Sequence, residues 1–252
     1  MNAVAQIVKK ALKRADVCVS IISPRKVSIE CVSNIMTIFS QRKHAYEWMP
    51  LTGEADVSRA RSRVASAFLK TENDVLLFVD DDIRFKKEDS DKLIDNVVDG
   101  KLICGAHYVQ KGTIDKTMVM EDGESILFHP NEKEPKKCVA LPGGFVAFHR
   151  SAFEAVLKLK RHDGDPVIPL CNEGASWEFY PFFDSQPMKM DGGWRFIPED
   201  WSMCLRAREA GVQSWVHPGI MLSHVGEAEF DFRDRLRQPK MSWGDFPGVT
   251  YA

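Results

Sequence analysis

The sequence has almost no excess of charge and lacks several short motifs that mark enzyme classes. Its formal net charge is −2 over 252 residues. The composition therefore lacks the excess of basic residues that indicates bulk nucleic-acid binding. No apolar run reaches the roughly 20 residues that a membrane span needs, and we expect none. The P-loop motif GxxxxGK[ST] and the GxGxxG fingerprint are both absent, which disfavours P-loop and Rossmann dinucleotide-binding enzymes.

Cysteine pairs at metal-binding or redox spacing are also absent. No CxxC pair occurs, so neither a zinc knuckle nor a thioredoxin-type site is indicated. Several cysteines lie in apolar runs, where a free thiol behaves as a small hydrophobic group. We therefore expect a reducing, cytoplasmic setting. The six cysteines are Cys18, Cys31, Cys104, Cys138, Cys171 and Cys204.

The length favours one domain over residues 1–252, because it suits one large core and is short for two. Strand patterns at 17–22, 45–51 and 74–79 alternate with helix patterns at 28–42 and 57–70. This order predicts an α/β fold with a single, Rossmann-like, mostly parallel open sheet flanked by helices. Ligands of such sheets bind at the carboxyl ends of the strands.

The second half of the chain is less regular. We expect strands at 101–109, 138–148 and 214–222, and helices at 151–159 and 199–211. Residues 161–193 are rich in Gly, Pro, Asp and aromatics, and this composition predicts a long functional loop rather than a linker. In the helix at 28–42, the buried face is expected to carry Ile29, Val32, Ile35, Met36 and Phe39.

Three aspartates directly follow the apolar strand at 74–79. In extended backbone, alternate side chains point the same way, so Asp80 and Asp82 are expected to address one ligand while Asp81 faces away. Adjacent carboxylates repel one another unless a cation or donors compensate. Carboxylate oxygens suit Mg²⁺ or Mn²⁺, and the cluster predicts such a site. The alternative is an acidic turn that caps the next helix.

Other chemistries also place an aspartate after a strand. Haloacid-dehalogenase-type phosphatases use Asp-x-Asp-x-Thr or Val, but Arg84 holds the last position here. A nucleotidyltransferase or another metal phosphohydrolase using the same cluster stays open as an alternative. So does a non-catalytic domain that binds a nucleotide sugar.

Several segments, in order, resemble GT-A-fold glycosyltransferases of the family-2-like group. Residues 79–83 (VDDDI) resemble the DxD segment of these enzymes. The other similar segments are 58–62 (the "ARN" helix), 102–109 (the following strand), 143–150 ("GxGFxLIRR"), 198–204 ("SEDxxFC") and 222–226 ("xHVG"). The resemblance covers about residues 17–226 and implies a GT-A fold.

The resemblance also implies a reaction. A metal-dependent glycosyltransferase would move a sugar from a nucleoside-diphosphate sugar, expected to be a UDP-sugar, to a hydroxyl of a glycan or other acceptor. Inversion with a carboxylate base is expected, with a retaining reaction that needs no base as the alternative. Mn²⁺ or Mg²⁺ would be the cofactor. The nucleotide-binding half would be about 17–110 and the acceptor half about 111–226, followed by a charged tail.

Residue roles carried over from the family begin on the donor side. Asp80 would contact the ribose or the metal, Asp82 would bind the metal, and His224 would be a further metal ligand. Asp81 would lie beside them in the donor site. The nucleotide base would lie near Pro24 and Arg25, which follow the first strand.

The remaining roles concern the diphosphate, the sugar and the acceptor. Arg61 would reach a diphosphate or a uracil carbonyl, unless it lies on a solvated helix face. Gly143 and Gly144 would let the backbone approach the donor sugar, unless they form an ordinary β-bulge. Asp200 would take the proton of the acceptor hydroxyl, with Glu199 orienting a substrate. Both acids would also suit a helix N-terminus without any catalytic role.

Overall fold

The computed structural model describes most of the chain in several stretches. They are residues 14–24, 27, 29–40, 43–108, 119–120, 131–174, 177–190, 192–225 and 229–231. Five helices lie in these stretches: α1 (Ile29–Phe39), α2 (Val57–Phe68), α3 (Lys87–Val98), α4 (Arg150–Val156) and α5 (Glu199–Glu209). None of the described helices is long and apolar enough to cross a bilayer.

A nine-stranded sheet forms the centre of the described structure. Its strands are β1 (Asp16–Ser23), β2 (Ala45–Trp48), β3 (Leu51–Thr52), β4 (Val75–Asp80), β6 (Ile103–Gly105), β7 (Val119–Met120), β8 (Lys136–Ala140), β9 (Phe145–His149) and β14 (Ser214–Val216). The order is β2-β1-β4-β9-β6-β14-β8-β7, with β3 beside β1. Strands β8 and β9 run against the others, so the sheet is mostly parallel.

Smaller strands lie outside the central sheet. One three-stranded sheet joins β5 (Ile83–Arg84), β15 (Ser223–Val225) and β16 (Glu229–Asp231). Two hairpins are formed by β10 (Cys171–Asn172) with β11 (Glu178–Phe179), and by β12 (Gln186–Met190) with β13 (Gly193–Ile197). Residues 161–193 are therefore partly ordered as hairpins, rather than being one long loop.

The core lies on both faces of the central sheet. Leu76 and Phe78 of β4 pack into one apolar cluster, while Leu77 and Val79 pack into the other. A strand covered on both faces reads as a continuous apolar run, and burial stops at Asp80, where β4 ends. The predicted fold class, an α/β fold with one mostly parallel open sheet flanked by helices, is confirmed.

Helix α1 forms as predicted, but the predicted buried face is wrong in part. Three of the predicted residues are exposed instead, by 79% for Ile29, 38% for Val32 and 64% for Met36. Cys31 and Ile38 are buried together with the correctly predicted Ile35. The helix carries two apolar stripes, and helical periodicity alone does not decide which of them faces the sheet.

Three predicted strands are shorter or divided. Residues 138–148 form β8 and β9, which are separated by 141–144. The predicted strand at 214–222 is strand only in β14. Of the predicted strand at 101–109, the described residues 101–108 are strand only in β6. Each predicted run continues past the sheet edge into apolar loop residues, such as the buried Leu141 and Leu222. The apolar pattern overestimates strand length because these loop residues are buried without forming hydrogen bonds to a neighbouring strand.

Candidate active site

The candidate site lies at the rim where the parallel strands β1 and β4 end. Their register pairs Ile22 with Asp80, so Ser23 and the three aspartates meet at one edge. Helix α2 starts near this rim after β3, and the Asp56 side chain caps it by accepting a hydrogen bond from the Arg59 backbone N–H at 3.2 Å. Arg61 lies on the buried side of this helix.

Arg61 joins the strand end to helix α5. Its Nη2 atom donates to both carboxylate oxygens of Asp80 at 2.9 Å, and its Nη1 atom donates to Glu199 at 2.6 Å. The Arg61 side chain is 3% exposed. Burial alone would lower the Arg61 pKa, but the charges of Asp80 and Glu199 raise it above its ordinary value. The guanidinium therefore stays charged and acts as a buried link between the two predicted motifs.

Residues 141–144, here called the glycine loop, close over this ion pair. The backbone N–H of Gly143 donates to Asp200 at 2.9 Å, and the carbonyl of Gly144 accepts from the Asp80 N–H at 2.8 Å. A Cβ atom at Gly143 would overlap three atoms of the Arg61 guanidinium, the farthest of which is 2.9 Å away. Glycine is thus required by packing against Arg61, which the β-bulge alternative does not explain.

Asp200 is a partly buried acid at this rim whose pKa is raised. Its carboxylate accepts hydrogen bonds from the backbone N–H groups of Gly143 and Trp201, at 2.9 and 2.8 Å. Burial and the neighbouring Glu199 charge raise the Asp200 pKa to about 6, while Arg61 opposes this rise. The group therefore changes its protonation state close to neutral pH.

The three aspartates do not alternate as predicted. Strand β4 ends at Asp80, and the next two residues form a turn, so the period of an extended strand no longer applies. Asp80 binds Arg61, Asp81 accepts a hydrogen bond from the Ser23 hydroxyl, and Asp82 Oδ2 lies 3.2 Å from His224 Nε2. His224 reaches this place because β15 pairs with β5, which sets His224 opposite Ile83.

The fit to a divalent ion rests on Asp82 and His224. In the described part of the chain, no group of three or more His, Cys, Asp or Glu side chains is arranged to hold a metal. Asp80 is held by Arg61, which leaves Asp82 and His224 as the adjacent pair, with side chains 31% and 14% exposed. A carboxylate oxygen beside an imidazole nitrogen suits a transition ion better than Mg²⁺. The donor pair is therefore at most a partial ligand set for a divalent transition ion.

The residues predicted to bind the nucleotide base are Pro24 and Arg25. Pro24 lies exposed just after β1, and Arg25 lies outside the described residues. Their roles stay predictions. Two further residues contact the site without having been predicted, Ser23 and Tyr108. Ser23 could have been found as the last residue of the first strand. Tyr108 lies in the segment 102–109, but the resemblance assigns it no role and its contacts depend on the tertiary fold.

The aromatic residues near α5 divide into two groups. Trp201 is half-buried and packs against the core. Trp194 and Phe196 alternate along β13 and are 72% and 73% exposed, and the strand runs through Pro198 directly into α5. An exposed aromatic face thus lies close in sequence to Glu199 and Asp200.

Comparisons with known proteins give likeness of structure but not of sequence. No protein-family model matches the chain, and no curated protein matches it by sequence. A crystal structure of A197 from STIV is similar at a TM-score of 0.53 and 16% identity, over 84% of this chain and 86% of that one. This likeness shows the fold alone.

A second solved structure is GalNAc-T7 with UDP, GalNAc and Mn²⁺. It matches at a TM-score of 0.49 and 12% identity, over 84% of this chain. The present chain spans 43% of the GalNAc-T7 chain.

Proposed function

We propose that this protein is a metal-dependent glycosyltransferase that uses a nucleoside-diphosphate sugar, most simply a UDP-sugar. The observation that carries the proposal is the buried Arg61, which joins Asp80 of the DxD-like segment to Glu199 of the ED-like helix. Two motifs separated by more than 100 residues in sequence thus form one site at the carboxyl ends of the strands, where ligands of open α/β sheets bind.

Asp82 and His224 supply the donor side of the proposed site. They would hold Mn²⁺, with Mg²⁺ as the poorer fit because one donor is nitrogen. When bound, the ion supplies Lewis-acid stabilisation of negative charge on the leaving diphosphate. Asp80 would contact the nucleotide sugar next to Asp82 and His224. Two hydrogen bonds from Arg61 fix the position of the Asp80 carboxylate. Asp81 would support the end of β1 through Ser23.

Asp200 supplies the acceptor side. A general base works best when its pKa lies near the working pH, and burial together with Glu199 raises the Asp200 pKa to about 6. The carboxylate would take the proton of the acceptor hydroxyl, and inversion of the anomeric centre is proposed on that basis. Glu199 would position the site through Arg61 rather than contact the reacting atoms, since its carboxylate already accepts from Nη1.

Arg61 takes a different part from the one its sequence position predicts. A guanidinium that is 3% exposed and bound to two carboxylates is poorly placed to reach a diphosphate or a uracil carbonyl. Its proposed part is to place Asp80 and Glu199 at a fixed separation. The exposed ring face of Trp194 and Phe196 is proposed to contact the acceptor, because aromatic faces stack on sugar rings.

The test is a turnover assay of the full chain with a panel of nucleotide sugars, with and without Mn²⁺. The expected products are a nucleoside diphosphate and a transferred or hydrolysed sugar, and turnover should stop when Mn²⁺ is chelated. Asp82→Ala should abolish the metal-dependent turnover, with Asp163→Ala, an exposed loop acid, as the matched control. Release of pyrophosphate would instead identify a nucleotidyltransferase, and an Asp82→Ala variant as active as the wild type would refute the proposal.

A further inference from the structure

Tyr108 touches two separate parts of the proposed site. It lies three residues beyond β6 and is 8% exposed. Its hydroxyl accepts a hydrogen bond from the Gly144 backbone N–H at 3.1 Å. Its ring packs edge-to-face on the His224 ring, with centroids 5.2 Å apart and an interplanar angle of 68°. One buried side chain therefore contacts both the glycine loop and a proposed metal ligand.

The contact with the glycine loop is tight. A Cβ atom at Gly144 would lie 2.6 Å from the Tyr108 hydroxyl oxygen and 3.0 Å from Asp80 Oδ2. The backbone of Gly144 is therefore packed between the tyrosine hydroxyl and the aspartate that Arg61 holds. Because a buried N–H needs a partner, the hydroxyl sets the position of Gly144 as well as filling space beside it.

The contact with His224 completes the surroundings of that ring. Asp82 lies 3.2 Å from His224 Nε2, strand β5 fixes the histidine backbone, and the Tyr108 ring packs against the imidazole. Edge-to-face packing restricts the orientation of an aromatic ring. Groups that orient a metal ligand without binding the metal commonly affect affinity strongly.

The contacts of Tyr108 define its role. A buried side chain that contacts Gly144 and His224 acts on the proposed site through these two residues, so Tyr108 is a positioning residue.

We propose that Tyr108 is a positioning residue with two separable contacts: its ring orients His224 beside Asp82 for the divalent ion, and its hydroxyl fixes Gly144 beside Asp80. The inference rests on the proposed function, because the ion is the one assigned above to Asp82 and His224. It adds a residue that lies in the segment 102–109 but to which the resemblance assigns no role.

Two substitutions separate the contacts. Tyr108→Phe keeps the ring and removes the hydroxyl, so Mn²⁺ affinity should stay within about twofold of wild type. Its kcat with the UDP-sugar that the wild type uses should fall about 10-fold, because the Gly144 N–H loses its partner. Tyr108→Leu removes the ring as well, and its Mn²⁺ affinity should fall by about 10- to 100-fold. The matched control is Tyr46→Phe on β2, which removes a hydroxyl that contacts Asp91 of α3. It should change neither quantity.

Mn²⁺ affinity is measured directly on the full chain, by the electron paramagnetic resonance signal of free Mn²⁺ during titration, without any turnover. Thermal unfolding of each variant identifies one that fails to fold, and Tyr108→Phe then still tests the hydroxyl contact. A folded Tyr108→Leu with wild-type Mn²⁺ affinity would overturn the ring contact while leaving the proposed function standing. Equal losses of Mn²⁺ affinity in Tyr108→Phe and Tyr108→Leu would overturn the division of roles. Wild-type protein that binds no Mn²⁺ would overturn the proposed function, and this inference with it.

Discussion

Replacing Gly143 by alanine tests how closely the glycine loop packs on Arg61. The new Cβ would overlap three atoms of the Arg61 guanidinium. The farthest of them, Nη2, would lie 2.9 Å from the Cβ. Arg61 does not move without lengthening its bonds to Glu199 and Asp80, which measure 2.6 and 2.9 Å. The loop does not retreat without breaking the hydrogen bond from Gly143 to Asp200.

The loss of stability depends on which of these two movements, that of Arg61 or that of the glycine loop, removes the overlap. Shifting a packed segment to admit an extra methyl group costs about 1–3 kcal/mol, and breaking a buried ion pair costs about 3–5 kcal/mol. The structure will relax by the less costly route, so we expect Gly143→Ala to lower the free energy of unfolding by about 2–3 kcal/mol. The backbone of Gly143 lies outside the left-handed region, so the loss is steric.

The assay is urea unfolding at pH 7 of wild type, Gly143→Ala, Arg61→Ala and the double variant. Without the guanidinium the methyl group has room, so Gly143→Ala should cost less than about 0.5 kcal/mol in the Arg61→Ala background. Gly164→Ala is the control: its φ is +90° with open space around the Cβ position, and it should cost about 1–2 kcal/mol in both backgrounds. An equal cost of Gly143→Ala in both backgrounds would show that Arg61 is not what excludes a side chain there.

The remaining predictions concern the acidic residues. Because burial and Glu199 raise the Asp200 pKa to about 6, wild-type kcat/KM should rise with pH through about 6. Asp200→Asn should lower kcat/KM by at least about 100-fold, and a wild-type profile that is flat from pH 5 to 8 would contradict the role as base. The same raised pKa means that protonated Asp200 favours the folded state at low pH, and that this contribution is lost as pH rises through about 6. Urea unfolding at pH 4.5 and 7.5 should therefore show wild type losing stability relative to Asp200→Asn, and parallel changes would refute this. Glu199→Gln keeps a hydrogen-bonding group at Arg61 but removes a charge, and should lower the free energy of unfolding by about 1–3 kcal/mol; calorimetric unfolding that shows no loss would count against the buried link. Asp82→Ala should lower it by less than about 1 kcal/mol, because its pair with His224 is partly exposed, and a larger loss in thermal unfolding would indicate a structural role.

Much of the sheet could be predicted because burial on both faces leaves a simple pattern. The run 74–79 is apolar at nearly every position, and its strand lies at the centre of the sheet between β1 and β9. Helix α1 marks the limit of this reasoning. Cys31 and Ile38 face the core while Ile29 and Met36 face outward, because two apolar stripes compete and only the neighbouring elements select between them.

The site was predictable as a set of residues but not as a set of contacts. Spacing placed Asp80 and Asp82 on one side of a strand, whereas the strand ends at Asp80 and each acid finds a different partner. The charge of Arg61 was visible in the sequence, but its burial and its bonds to both Asp80 and Glu199 depend on where α2 and α5 meet. Tertiary placement, which local patterns do not encode, decides these pairings.

The most direct test of the account is UDP binding to the full chain, measured by isothermal titration calorimetry with and without Mn²⁺. Mn²⁺ should strengthen UDP binding by at least about 10-fold. The variants Asp82→Ala and His224→Ala should lose this gain, while Tyr46→Phe should keep it. UDP affinity in the wild type that is the same with and without Mn²⁺ would contradict the claim that this rim holds a divalent ion and, through it, a diphosphate.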